Sequence, residues 1–372
     1  MTEEIYRPGL EGVIAGETAI STIAGGLQYR GYSIETLAEK STFEEVAYLL
    51  LKGELPTREE LDEFRSRMGA AAEVPVEILE FLRVIPRDAP MMDVMRTGAS
   101  VLAHWDPDVA DNGPEANLRK SQRLLARLPV VMAARHRQRN GEFPIAPKPD
   151  RSIAFNILRM VNGKDPSERL ERAMDVSLIL YAEHEFNAST FAARVICSTL
   201  SDLNSSITGA IGALKGPLHG GANERVMEVL EEVGTADRAE SWIRQALAEK
   251  KRIMGFGHRV YKSGDPRAQY LKPLCVELAQ KTGNQNMERM ATIIEEIVVA
   301  EKKLPPNLDW PSGRLYHYMG LPVDLYTPLF VCSRVAGWSA HVMEQLANNR
   351  LIRPRARYTG KVSEPWVPIE KR

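Results

Sequence analysis

The residues with the clearest potential for chemistry are three histidines that stand among glycines or carboxylates. His219 lies in segment 216–223, where glycines flank it and Asn223 is predicted to cap the helix that follows. The positive end of that helix would disfavour an imidazolium, and a neutral imidazole can donate a hydrogen bond to a developing oxyanion. The alternative is a glycine turn that contains an incidental histidine.

The second histidine, His258, follows the two glycines of segment 255–257. Glycines at this spacing let a planar or phosphorylated ligand approach the backbone closely. Arg259, Lys262 and Arg267 add positive charge nearby, which suits an anionic ligand. A solvated basic loop is the alternative interpretation.

The third histidine, His184, stands between Glu183 and Glu185. Neighbouring carboxylates are expected to raise the pKa of an imidazole, so that His184 could face an anion as a cation. Pairing with those carboxylates at a helix end is the alternative, which this segment favours when it is taken alone. The other histidines are interpreted as structural or surface residues: His104, His136, His317 and His341.

One aspartate and two arginines complete the set of polar candidates. Asp309 is predicted to lie in a rigid turn among apolar neighbours, where desolvation would make it a better base; stabilising that turn is the alternative. Arg334 lies on an otherwise apolar helix face, and a buried arginine is costly without an anion. Arg353, next to Pro354, forms a rigid basic element that is by default exposed.

Helical patterns dominate the segments that must position these residues, and an all-α protein with long helices is predicted. Capping-box patterns occupy 41–44 and 57–60, and residues 165–166 are predicted to start another helix. Residues 287–298 carry an apolar stripe at helical spacing. Short strands are predicted near the N-terminus, at 12–15 and within 27–32. Neither a glycine-rich dinucleotide fingerprint nor a phosphate-binding loop motif occurs.

Composition and charge exclude several classes of protein. The 372 residues carry 48 Lys and Arg against 49 Asp and Glu, which argues against a general nucleic-acid binder. The 3 cysteines are too few and too widely spaced for a disulfide framework, and no metal-binding spacing is present. With no apolar signal segment or membrane span visible, a cytoplasmic protein is expected.

Taken together and in this order, these segments resemble citrate synthase. The resemblance runs over most of the chain, from residues 9–12 to 353–360. Its most specific parts are segments 218–223, 255–261 and 307–309, together with Trp338.

The resemblance implies a two-domain all-α fold. Residues 1–220 plus 321–372 would form a large helical domain for dimerisation and oxaloacetate binding, and residues 221–320 an inserted small domain carrying the CoA site and the catalytic aspartate. A homodimer is implied, with active sites at the domain cleft and Arg353 contributed across the interface. The chain starts almost at the family's core, so the extra N-terminal regulatory domain of some bacterial relatives is expected to be absent.

The implied reaction, a step of the tricarboxylic acid cycle, makes citrate and CoA from oxaloacetate, acetyl-CoA and water. Asp309 would take a proton from the acetyl methyl group, His219 would donate a hydrogen bond to the thioester oxygen, and His258 would polarise the oxaloacetate ketone. The resemblance implies no permanently bound cofactor, because acetyl-CoA is a co-substrate, and no metal. It assigns substrate binding to His184, Arg267, Phe330, Arg334 and Arg353, and CoA binding to Gly255, Phe256, Gly257, Arg259 and Lys262.

Two rival functions stay open. A 2-methylcitrate synthase would use propionyl-CoA with the same apparatus, and one extra methylene changes discrimination by only about 1–3 kcal/mol. A non-catalytic relative that binds CoA or a dicarboxylate is the other rival. The joint presence of His219, His258 and Asp309 argues against it.

Overall fold

Helices dominate the computed structural model, which describes residues 6–258, 261 and 264–372. The predicted all-α class is therefore confirmed. In this described part the α-helices are α1 Ile34–Lys40, α2 Phe43–Lys52, α3 Arg58–Ala71, α4 Val76–Val84, α5 Met91–Leu102, α6 Pro114–Arg139, α7 Ile153–Asn162, α8 Glu168–Tyr181, α9 Ala188–Cys197, α10 Leu203–Leu214, α11 Ala222–Val233, α12 Ala236–Ala248, α13 Ala268–Thr282, α14 Gln285–Lys302, α15 Asp309–Tyr318 and α16 Tyr326–Ala347.

Side-chain caps explain where the early helices begin. Thr57 and Glu60 form the predicted reciprocal capping box at the start of α3. In α2 the box is formed by Thr42 and Glu45, one residue later than predicted, and Ser41 is instead the C-cap of α1, its N–H donating to the Leu37 carbonyl. Helix α8 is capped by Ser167, so the predicted start at residues 165–166 was wrong.

A small antiparallel sheet is present near the N-terminus. Its strands pair Ser21 with Tyr29 and Gln28 with Ser33. Within the described residues, segment 12–15 is not a strand, contrary to the prediction, and its side chains are exposed. The strands are β1 Ser21–Thr22, β2 Gln28–Tyr29 and β3 Tyr32–Ser33.

The helices fall into two groups by their contacts, although their buried apolar side chains form one continuous core. Helix α16 is buried along most of its length against α2, α5, α6, α8, α9 and α10. Helices α11 to α15 pack mainly on one another, and α11 and α13 also contact α16 and α8. The division into a large domain, 1–220 plus 321–372, and a small domain, 221–320, stays a prediction.

Two features are absent from the described residues. No helix there has both the length and the apolar character needed to cross a membrane. No group of three or more His, Cys, Asp or Glu side chains in that part of the chain is arranged to hold a metal ion.

Candidate active site

One cavity of about 860 Å³ brings together most of the predicted site residues. Its walls come from both groups of helices, since α8 and α16 belong to one group and α15 to the other. The convergence arises from the packing of segments that lie far apart in the chain. The predicted site residues that line this cavity are His184, His219, His258, Arg267, Asp309, Phe330 and Arg334.

Backbone pairing joins the glycine segment to the segment that carries the aspartate. The Gly257 N–H donates to the Pro305 carbonyl at 2.8 Å, and the Asn307 N–H donates to the Gly255 carbonyl at 2.9 Å. Gly255 has φ +87°, and a Cβ there would lie 2.9 Å from Val226. Glycine is therefore required, because the backbone is left-handed and the space is filled.

Asp309 is the first residue of helix α15, so the prediction that it lies in a turn was wrong. Asn307 Oδ1 accepts a hydrogen bond from the Asp309 N–H, and the Tyr181 hydroxyl donates to Asp309 Oδ1 at 2.7 Å. Burial raises the pKa of Asp309, and the hydrogen bond from Tyr181 opposes that rise. A carboxylate with a raised pKa is a stronger base, as the sequence predicted.

His219 is held from behind by Ser189. The Ser189 N–H donates to His219 Nε2 at 3.3 Å, and the Ser189 Oγ lies 2.8 Å from the same nitrogen. Burial, with Arg334 second, lowers the pKa of His219 to about 4, so the neutral form predicted from the sequence is favoured. Helix α11 begins at Ala222 behind Gly221, so the prediction that Asn223 caps it was wrong.

His184 and His258 lie side by side and share Tyr261 as a partner. Their ring centroids are 5.3 Å apart, the Tyr261 hydroxyl lies 3.0 Å from His184 Nε2, and the Tyr261 N–H donates to His258 Nδ1. The pKa of His184 is lowered well below its ordinary value by burial and then by Arg267 and Arg334. The prediction of a raised pKa was therefore wrong.

The two arginines of the cavity are held differently. Arg267 is buried and donates to both carboxylate oxygens of Asp265, which raises the pKa of Arg267. Arg334 donates its Nε–H to the Tyr181 carbonyl at 2.7 Å, and its guanidinium lies 4.6 Å from the centre of the Phe330 ring. Burial lowers the pKa of Arg334 to about 10.

Several predicted residues are not among those that line the cavity. Arg259 and Lys262 lie outside the described residues. Gly255, Phe256 and Gly257 are not in its wall, and Phe256 packs on Trp310 with ring centroids 4.6 Å apart. Arg353 is exposed and does not line the cavity of its own chain.

Sequence reasoning missed two tyrosines that contact the predicted residues. Tyr181 bonds to Asp309 from the C-terminal end of α8, and Tyr261 bonds to His184. The only signal for Tyr181 is its position three residues before His184, near the end of an apolar helix. Nothing in that spacing indicates a partner 128 residues away.

Comparison with known proteins agrees with this geometry. The family model described as "Citrate synthase, C-terminal domain" matches residues 9–355. "Citrate synthase 2" of Bacillus subtilis is 49% identical over 98% of both chains, and "2-methylcitrate synthase 2" of Corynebacterium glutamicum is 46% identical over 98% of both.

Solved structures are similar over nearly the whole chain. Citrate synthase from Pyrobaculum aerophilum is 40% identical with a TM-score of 0.91, covering 98% of this chain and 94% of that one. The citrate synthase of the archaeon Thermoplasma acidophilum, solved as a ternary complex with carboxymethyl coenzyme A and oxaloacetate, is 34% identical. Its TM-score is 0.92, with 99% of each chain covered.

Proposed function

The chain belongs to the citrate synthase family, and on that premise we propose that it condenses acetyl-CoA with oxaloacetate and hydrolyses citryl-CoA to citrate and CoA. The observation that carries this proposal is the convergence of His219, His258 and Asp309 on one cavity that also contains two buried arginines. This set supplies a base, two hydrogen-bond donors and an anion-binding wall, which are the groups that this carbon–carbon bond formation needs.

The first step is removal of a proton from the methyl group of the thioester, and we assign it to Asp309. A thioester α-carbon is a far weaker acid than a carboxylic acid, and each pKa unit of mismatch costs about 1.4 kcal/mol. Burial reduces this mismatch because it raises the pKa of Asp309. It cannot remove the mismatch, so the enolate oxygen must be stabilised as well.

We assign that stabilisation to His219. Its Nε2 accepts the Ser189 N–H, which leaves Nδ1 to carry the proton of the neutral ring. A pKa of about 4 keeps the ring neutral near pH 7. His219 can therefore donate a hydrogen bond to the thioester oxygen as negative charge develops there, without first losing a proton to solvent.

The enolate carbon then attacks the ketone of oxaloacetate, and we assign polarisation of that ketone to His258. The Tyr261 N–H donates to His258 Nδ1, which favours the tautomer with a proton on Nε2. That proton can be donated to the alkoxide as the new carbon–carbon bond forms. Water then attacks the thioester carbonyl of citryl-CoA and releases the thiol of CoA together with citrate.

Charge supports the assignment of Arg353 to the partner's site. Among the described residues that line the cavity, Arg267 and Arg334 are outnumbered by the carboxylates Glu11, Glu185, Asp265 and Asp309. Arg267 is already paired with Asp265, and the pKa values of His184 and His219 are lowered. A dianionic substrate needs more positive charge, which Arg353 of the partner subunit in a homodimer would add.

For CoA, we propose binding along the segment of Gly255, Phe256, Gly257, Arg259 and Lys262, with the adenine near the glycines and the phosphates near the cations. Helices α11 to α15 would then move as the small domain, 221–320, and close on the large domain. Closure would exclude water during condensation, and reopening would admit it for hydrolysis.

The test is release of free thiol from acetyl-CoA or propionyl-CoA in the presence of oxaloacetate, compared as kcat/KM. A higher value for acetyl-CoA supports the proposal. A higher value for propionyl-CoA makes the protein a 2-methylcitrate synthase, an alternative that the 46% identity to a protein of that name favours. Binding of both substrates without thiol release would instead establish a non-catalytic relative.

A further inference from the structure

Glu183 is a fully buried carboxylate directly behind the cavity, and the catalytic steps above do not use it. Its Oε1 accepts hydrogen bonds from the Ser21 hydroxyl at 3.0 Å and from His341 Nε2 at 2.9 Å. Its Oε2 is buried without a hydrogen-bond partner among the described residues. A buried charge in this state needs a compensating charge nearby.

One face of helix α16 supplies the surroundings of this carboxylate. Arg334 donates to the carbonyl of Tyr181, and Gly337, one turn further on, faces Glu183 so closely that a Cβ would lie 2.2 Å from Oε2. His341, one more turn on, donates to Glu183 Oε1. Arg334 thus lies about one turn, or about 5.4 Å along the helix axis, before the residue that touches the Glu183 carboxylate, and the charge of Glu183 opposes the lowering of the Arg334 pKa that burial causes.

The orientation of Glu183 is fixed from the far side by a second arginine. Arg194 Nε–H donates to His341 Nδ1 at 3.0 Å, so the His341 proton is on Nε2 and points at Glu183. Arg194 is itself paired with Glu344. Its charge is thus already matched, while Arg334 has no direct ion pair among the described residues.

The contrast with the other arginine of the cavity indicates what Glu183 does. Arg267 has both its Nε and its Nη2 on Asp265, so its charge is neutralised in direct contact. Within the described residues, the terminal nitrogens of Arg334 make no hydrogen bond, and Arg334 lines the cavity. Arg334 is therefore a buried cation whose planar fork is available to a substrate carboxylate.

We propose that Glu183 is a positioning residue for the proposed reaction: a fixed counter-charge packed against the face of α16 that carries Arg334, which stabilises that cation before substrate binds and leaves its fork available to oxaloacetate. The inference rests on the proposed function. Since the same negative charge also repels the incoming dianion, Glu183 lowers the affinity of the site and thereby favours release of the anionic product.

The direction in which the oxaloacetate affinity changes, when the charge of Glu183 is removed, distinguishes a counter-charge from a purely structural role. Glu183→Gln keeps the shape and the acceptor for Ser21 and His341 but removes the charge. Without oxaloacetate the variant should be less stable than the wild-type protein, because the charge of Arg334 has lost its counter-charge. Oxaloacetate should bind to the variant about tenfold more tightly. Loss of a structural support would instead weaken binding.

The experiment is calorimetric titration of the full chain with oxaloacetate, without acyl-CoA, together with thermal unfolding in the presence and absence of oxaloacetate. Glu183→Asp keeps the charge and should bind oxaloacetate with nearly the wild-type Kd. Glu44→Gln is the matched control, because Glu44 is equally buried but lines a different cavity, and its Kd should not change. Tighter binding and a larger oxaloacetate-induced rise in Tm, in Glu183→Gln alone, are expected.

An unchanged or weaker Kd in Glu183→Gln would overturn the inference. If that variant does not fold, the double variant Glu183→Gln with Arg334→Gln should fold, because both charges are gone. A double variant that also fails to fold refutes the counter-charge. If the single variants fold, a double variant whose loss of stability equals the sum of the two single losses refutes it as well. Failure of the wild-type protein to bind oxaloacetate would instead refute the proposed function itself.

Discussion

The hydrogen bond from Tyr181 to Asp309 makes a quantitative prediction about the pH dependence of proton abstraction. Tyr181→Phe removes the hydroxyl that donates to Asp309 Oδ1 at 2.7 Å and keeps the ring that packs on Phe330, with centroids 4.7 Å apart. The bond opposes the rise in pKa that burial causes, so its loss should raise the pKa of Asp309 further.

The size of the shift follows from the type of bond. A hydrogen bond to a charged group contributes about 1.5–3 kcal/mol. One pKa unit corresponds to about 1.4 kcal/mol. If most of this energy stabilises the ionised form, the pKa of Asp309 rises by about 1–2 units. Since Asp309 acts as a base only when ionised, the acid limb of the rate profile should move to higher pH by the same amount.

The assay is thiol release at saturating oxaloacetate, with kcat/KM for the acyl-CoA measured from pH 5 to pH 9. Tyr316→Phe is the matched control, because Tyr316 is buried to the same degree and its hydroxyl contacts Ser177 instead of Asp309. Its profile should coincide with that of the wild-type protein. An acid limb that stays in place in Tyr181→Phe would refute the view that this tyrosine sets the basicity of Asp309.

Three further predictions concern the base, the anion site and stability. Asp309→Asn should lower kcat by at least about 10³-fold with an oxaloacetate Kd close to wild type, since the proton acceptor is lost and the anion site is intact; a near-normal kcat would contradict the role. Arg334→Leu should weaken oxaloacetate binding by about 2 kcal/mol or more in calorimetric titration; an unchanged Kd would remove Arg334 from the site. Burial, and then Glu44, raise the pKa of Asp175 from 3.8 to about 7, so the folded protein binds this proton more tightly than the unfolded chain does. The stability that this proton adds is full below pH 3.8 and is lost as the pH rises through 7. The Tm should therefore be higher at pH 6 than at pH 8, and Asp175→Asn should reduce that difference in scanning calorimetry; an undiminished difference would assign it to other groups.

Local sequence patterns predicted the helices well where a side chain closes the end of the helix. Thr57 and Glu60 form the expected box because the side chain of each accepts a hydrogen bond from the backbone N–H of the other, and both residues lie within one stretch of four. The prediction failed by one residue at Thr42 and by two residues at Ser167, because Ser41 and Asp165 also have side chains suited to capping. At Thr42 the choice follows from the preceding helix, because Ser41 already closes α1 as its C-cap.

The candidate site was predicted by residue type and order, but its electrostatics were not. The sequence places His184 between two carboxylates, which indicates a raised pKa. In the structure Glu183 turns away to Ser21 and His341, and the charges near His184 are those of Arg267 and Arg334. Adjacent residues in a chain point in different directions, so sequence neighbours need not be electrostatic neighbours.

The amino-acid sequence by itself determined the helical class, the family and the identity of the chemical groups, because these depend on periodicity, local capping and short motifs. Only the tertiary structure decided which of those groups meet. The contact of Tyr181 with Asp309 and of Glu183 with helix α16 joins residues more than a hundred positions apart. Burial then sets which imidazoles are neutral and which carboxylates are basic, since a charge's cost depends on what packs around it.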